Sequence, residues 1–157
     1  MSTENHRQLH FEFINDENRK EVESLSLFSE QVDFIESVSE CLQEADELEL
    51  WRPVGIYEGE TLIGFAMYGY FPEPVPGQLW LDRLLIDKKY QGRGYGRQSV
   101  LSLLDRLRLE YQSDTVYLSV YENNPHAIQL YQQIGFRFNG EYDTKGERIM
   151  EYHFQNV

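Results

Sequence analysis

Apolar and polar positions along this chain alternate between two periods. Leu9 to Ile14 alternates residue by residue and predicts a first strand. Gln31 to Leu48 changes to helical spacing. There Ile35, Val38, Leu42 and Ala45 form one stripe, and Asp33, Glu36, Glu40, Glu44 and Glu47 gather on the opposite face. Val54 to Tyr57 and Leu62 to Tyr70 predict a hairpin turning through Glu58, Gly59 and Glu60. Pro72, Pro74, Pro76 and Gly77 exclude helix and predict a loop. Leu79 to Ile86 is almost wholly apolar and predicts a buried strand, after which Val100, Leu101, Leu104, Leu107 and Tyr111 predict a helix. Val116 to Tyr121 is a further strand. Asn124 and Pro125 supply the cap and first-turn proline of a helix that runs to Ile134 and is closed by Gly135. Phe136 to Tyr142 and Arg148 to Phe154 predict a closing hairpin through Asp143 to Glu147.

The resulting order, β–α–β–β–β–α–β–α–β–β, is that of an α/β or α+β mixed sheet. The 157 residues show no repeat, low-complexity tract or linker, so one domain spanning 1–157 is expected. Cys41 is the only cysteine, which excludes an internal disulfide; it lies towards the apolar side of its helix and reads as packing. No apolar run reaches the roughly 20 residues needed to span a bilayer, and the first residues lack a signal-peptide core. A cytoplasmic protein with no membrane partner is expected.

Charge changes this picture more than composition does. The formal net charge is −13. Residues 1–50 carry 14 acidic and 3 basic side chains, whereas residues 51–157 carry 13 and 11. Between Arg83 and Arg108 the sign reverses, with seven basic residues against Asp87 and Asp105. So acidic a chain is a poor partner for nucleic acid. An anionic ligand at the basic segment and a cationic one near the acidic half both fit. The acidic helix face reads either as a solvated surface or as a wall that attracts a polycation.

The basic segment contains Gln91-Gly92-Arg93-Gly94-Tyr95-Gly96, between the strand 79–86 and the helix that follows. Alternate glycines permit a tight turn and close approach of a ligand. The amides at the helix N-terminus offer a seat for phosphate, and Arg93 and Arg97 add countercharge. A dinucleotide fingerprint would need glycine at Arg97, and a Walker loop would need a Gly-Lys-Ser/Thr sequence that is absent. Taken alone, the segment reads either as an anion seat or as a glycine-rich packing turn. His6, His10, His126 and His153 are scattered without ligand spacing, so no metal is expected.

Leu84-x-Ile86-x-x-x-Tyr90-Gln91-x-x-Gly94-x-Gly96, followed by Asn124-x-x-Ala127-x-x-Leu130-Tyr131-x-x-x-Gly135-Phe136, resembles the GNAT superfamily of N-acetyltransferases from about residue 52 to 154. Two positions depart from its usual pattern: Lys88 stands where proline is frequent, and Gln91 where arginine is more usual. Within the superfamily, Val54-Gly55 to Gly69, Leu79 to Arg83 and Tyr117 to Asn124 are similar to the bacillus-type spermine/spermidine (diamine) acetyltransferases.

This resemblance implies a GNAT fold: a mixed sheet of about seven strands flanked by about four helices and splayed between the strands 79–86 and 116–121. It implies acetyl-CoA as cosubstrate in that opening. The pyrophosphate would meet Gln91, Gly92, Arg93, Gly94, Tyr95, Gly96 and Arg97, the pantetheine arm would pair with backbone at Leu84, Leu85 and Ile86, and Asn124 would touch the pantetheine. Tyr131 matches the family's general acid, against a reading as core packing beside Ala127 and Ile134. Asp82 aligns with a carboxylate that helps deprotonate the amine, against a reading as an ion pair with a neighbouring arginine or as an acid exposed at the strand end. Asp33, Glu36 and Asp82 are candidates for polyamine binding, and a homodimer is expected by analogy. The implied reaction is direct acetyl transfer to a primary amine of spermidine or spermine. Another amine (an amino acid, an aminoglycoside or a protein N-terminus) and a non-catalytic acyl-CoA-binding module are the alternatives.

Overall fold

The computed structural model describes residues 8–26, 37–73 and 75–154. Its centre is the strand whose apolar run is least interrupted: every residue from Ile63 to Tyr68 is buried. It is the third of seven strands among the described residues, β1 (Leu9–Phe13), β2 (Trp51–Glu58), β3 (Thr61–Phe71), β4 (Gln78–Ile86), β5 (Thr115–Val120), β6 (Arg137–Tyr142) and β7 (Arg148–His153). They form one sheet in the order β1-β2-β3-β4-β5-β7-β6. All neighbours are antiparallel except β4 and β5, which are parallel and joined by a helical crossover.

Among the described residues, four α-helices flank the sheet: α1 (Arg19–Glu23), α2 (Val38–Glu47), α3 (Tyr95–Glu110) and α4 (Pro125–Ile134). Val100, Leu103, Leu104 and Leu107 of α3 bury into the cluster that holds Val54, Ile56, Ile63 and Tyr68, and Ala127, Ile128 and Tyr131 of α4 pack against it. Val22 of α1 and Val38, Cys41 and Leu42 of α2 form a second cluster with Phe65, Met67 and Leu85. The buried Tyr68 hydroxyl is satisfied by Glu110 at 3.2 Å and Arg106 at 3.1 Å, so the core carries this polar group without a desolvation penalty left open.

The expected architecture is present, with one addition. The five-residue α1 has Val22 as its only buried anchor, so no apolar period announces it. The helix expected from Gln31 begins, among the described residues, at Val38, where Ser37 and Glu40 form a capping box. Residues 31–36, including Asp33 and Glu36, lie outside the described residues.

Candidate active site

The site begins where β4 and β5 part. They pair only at Leu79 with Val116 and Trp80 with Tyr117. Beyond Trp80 no residue of β4 has a β5 partner, and Leu84, Leu85 and Ile86 lie along this open seam while β3 covers their other edge. Diverging parallel strands leave a crevice at their C-terminal ends, where open sheets bind ligands.

Past the seam, Asp87 caps a single 3₁₀ turn (Lys88–Tyr90), and the chain reaches α3 through Gly92 at φ +78° and Gly94 at φ +85°. Only glycine holds this left-handed geometry without strain. No side chain caps α3, in contrast to α2, capped by Ser37, and α4, capped by Asn124. The N-cap residue of this 16-residue helix, Gly94, therefore offers its first-turn amides no side-chain acceptor of its own. Arg93 and Arg97 are exposed on the same turn. Tyr95 is buried and donates to Glu58 at 2.6 Å, and the Gln91 amide donates to the Ile86 carbonyl at 2.8 Å. Both bonds anchor the turn to the sheet. Gly96 faces Leu130, which brings α4 against the start of α3.

On β4 the register slips by one residue. Met67 lies opposite Arg83 and Tyr68 opposite Leu81, leaving Asp82 as the extra residue of a bulge. The slip turns Asp82 and Arg83 to the same side, and both line a cleft of about 320 Å³. Arg83 Nη1 sits 2.5 Å from the Asp82 carboxylate, and its Nη2 lies 3.8 Å from Glu44. At 18 % and 13 % side-chain exposure, Asp82 and Arg83 are shielded enough for this pairing to matter. The ion-pair reading of Asp82 is therefore realised, and it is compatible with a role towards substrate because the pair lines the cleft.

The β6–β7 turn lines the same cleft with Asp143, Lys145 and Glu147. Antiparallel pairing of Val120 with Arg148 puts this turn at the C-terminal end of β5, beside the open seam. Burial, then the nearby Asp143 charge, pushes the Glu147 carboxyl up to about 7, against the smaller pulls of Arg83 and Lys145. Trp51, Phe71 and Trp80 supply apolar walls; Trp80 stacks on Tyr117 with centroids 5.4 Å apart, and Trp51 meets Phe71 edge-on at 4.8 Å.

Tyr131 lies on α4, half-buried, with Phe136 edge-on at 5.6 Å. Burial pushes its phenol up to about 12, so it is protonated at neutral pH. The Asn124 side chain accepts the Ala127 amide at 3.4 Å, which fixes the first turn of α4. Leu130, the neighbour of Tyr131 in the second half of α4, packs at Gly96 of the glycine turn, whereas Asp82 lines the cleft. Tyr131 does not line that cleft.

Sequence reasoning missed Glu147, Asp143, Arg83, Trp51, Phe71 and Trp80 as site residues. Asp143 to Glu147 reads as an ordinary hairpin turn, and only the insertion of β7 between β5 and β6 carries it to the cleft. The Asp82–Arg83 pair depends on a bulge that no local pattern signals. Among the described residues, no cluster of His, Cys, Asp or Glu could hold a metal ion, and no helix is long and apolar enough to cross a membrane.

The model of the acetyltransferase (GNAT) family matches residues 12–136. The chain is 45% identical over 141 residues to the spermine/spermidine N(1)-acetyltransferase of Bacillus subtilis, covering 87% of this chain and 93% of that protein. Its fold matches an aminoglycoside acetyltransferase solved with coenzyme A (TM-score 0.77, 18% identity, 93% and 95% of the two chains). It also matches the Vibrio cholerae spermidine N-acetyltransferase solved with CoA and spermine (TM-score 0.69, 18% identity, 92% and 93%). With its parted strands, its uncapped glycine turn and a family match across most of its length, this chain belongs to the acetyltransferase (GNAT) family.

Proposed function

We propose that this enzyme transfers acetyl from acetyl-CoA directly to a primary amine of spermidine or spermine. The observation that carries this reading is the 45% identity, over 87% of the chain, to the Bacillus subtilis enzyme named for those two amines. The cleft agrees with it chemically. Glu44, Asp82, Asp143 and Glu147 offer carboxylates to ammonium groups, and Trp51, Phe71 and Trp80 offer surfaces to the methylenes between them.

Acetyl-CoA supplies the activated acyl group. The amides from Gly92 to Arg97, with Gln91 positioning the turn, suit its pyrophosphate, and the edge of Leu84, Leu85 and Ile86 that β5 leaves unpaired suits its pantetheine arm beside Asn124. Tyr131 gives its proton to the departing thiolate. Burial that raises a phenol also raises a thiol in the same surroundings, so the two stay matched. Asp82 orients the incoming amine or takes up its proton, and Asp33 and Glu36 attract the rest of the polycation. The enzyme works in the cytoplasm as a homodimer, in keeping with its cosubstrate, its buried single cysteine and family analogy.

A panel of amines assayed by free-thiol release tests the reading. Spermidine and spermine should be turned over far faster than glycine amide, an aminoglycoside or a peptide N-terminus; equal rates would overturn it. Glu147 adds a pH signature. Its carboxyl, raised in the fold from 4.5 to about 7, keeps a proton through that window which the unfolded chain has lost. Its contribution to stability therefore falls as pH rises through the window, while its charge for an ammonium grows. The spermidine KM should drop by about 3- to 5-fold between about pH 6 and pH 8. In Glu147→Gln that slope should flatten, read from KM measured across the same pH range.

A further inference from the structure

Asp87 is a carboxylate that acetyl transfer does not use, and it is 5% exposed. A buried carboxylate is costly unless donors meet both its oxygens. Here they come from two distant parts of the chain. Oδ1 accepts the Lys89 amide at 3.0 Å, which starts the 3₁₀ turn leading into Gln91–Gly96. Oδ2 accepts the Ser26 amide at 3.0 Å, across 61 residues of sequence. The Lys88 amide returns the contact by donating to the Ser26 carbonyl at 2.8 Å, and the Asp87 amide is held by the Ile63 carbonyl at 2.8 Å.

Ser26 follows α1, and the chain then leads on to α2. These two helices share a buried cluster, and α2 carries Glu44 into the cleft wall. Asp87 is thus the junction between the cofactor turn and the helical segment on the amine side.

We infer that Asp87 is a positioning residue: by holding Lys89 and Ser26 on its two oxygens, it couples acetyl-CoA binding at the glycine turn to amine binding in the cleft. The coupling to a polyamine rests on the function proposed above; the link from turn to Ser26 does not. Linkage makes the effect reciprocal, so CoA tightens spermidine and spermidine tightens CoA by the same factor. Asp87→Asn keeps the shape of the side chain but turns one acceptor into a donor, which then faces an amide N–H. One of the two bonds is lost while the other stays.

Calorimetry with CoA and spermidine, separately and together, measures the coupling directly. The wild-type protein should bind spermidine about 5-fold or more tightly with CoA present, and in Asp87→Asn the ratio should approach one. A merely structural role would shift both affinities or the melting temperature and leave the ratio as it was, which would overturn the inference. Amide hydrogen exchange on the wild-type protein gives a readout that needs no variant. The Ser26 and Lys88 amides should exchange more slowly when CoA is added; unchanged rates would sink the clamp. If spermidine fails to bind while CoA protects Ser26, the polyamine reading falls and the clamp stands.

Discussion

Replacing Tyr131 by phenylalanine should lower kcat by about 100-fold or more, with little change in either KM. The substitution removes one oxygen and leaves the ring against Phe136, so the half-buried site keeps its packing. What it removes is the proton proposed for the departing sulfur. The phenol is held at about 12 by burial, so it is protonated across the assay range. The wild-type rate should therefore show no alkaline limb from Tyr131 below about pH 10. Kinetics of thiol release at saturating spermidine and acetyl-CoA decide the matter. A Tyr131→Phe enzyme with unchanged kcat would leave the residue with packing alone.

Gly94→Val should raise the acetyl-CoA KM by about 10- to 100-fold and leave the fold intact. Gly94 has φ +85° at the entrance to α3, a conformation that costs a β-branched residue about 1–3 kcal/mol. The turn is exposed and can relax without disturbing the core, and relaxation turns the first amides of α3 away from a common point. Catalysis at saturating acetyl-CoA should change far less than affinity. Titration of CoA by calorimetry, beside a melting curve, separates this from unfolding. Wild-type affinity in Gly94→Val would show that the turn is not the anion seat.

These two substitutions fall on residues legible from local sequence, whereas the cleft does not. Gly94 and Tyr131 sit inside runs whose spacing is set by one strand-to-helix turn and one helix, so neighbouring residues carry the signal. The same holds for α4: Asn124, Pro125 and Gly135 mark both its ends, and its cap and closing turn are where the pattern places them. The strands and three of the four helices follow from hydrophobic period in the same way. α1 does not, because five residues with one buried side chain have no period.

Asp82 shows the limit most clearly. Its chemistry is visible as an acid within an apolar strand, but its partner is not. Arg83 follows it immediately, and alternation along a regular strand would send the two side chains to opposite faces. The bulge opposite Met67 and Tyr68 cancels that alternation and brings the carboxylate and guanidinium together over the cleft. Glu147 is further still from local reading. It reaches the site through the β5-β7-β6 order and an antiparallel register, and its raised protonation follows from burial beside Asp143.

By itself, then, the sequence determined the order of elements apart from α1, the family, the glycine turn and the general-acid candidate, since each is written in spacings of a few residues. Tertiary structure alone decided which acids share the cleft, how Asp82 is paired and what Asp87 joins. Those contacts depend on strand order, on one slipped register and on burial, and these arise only when distant segments pack together.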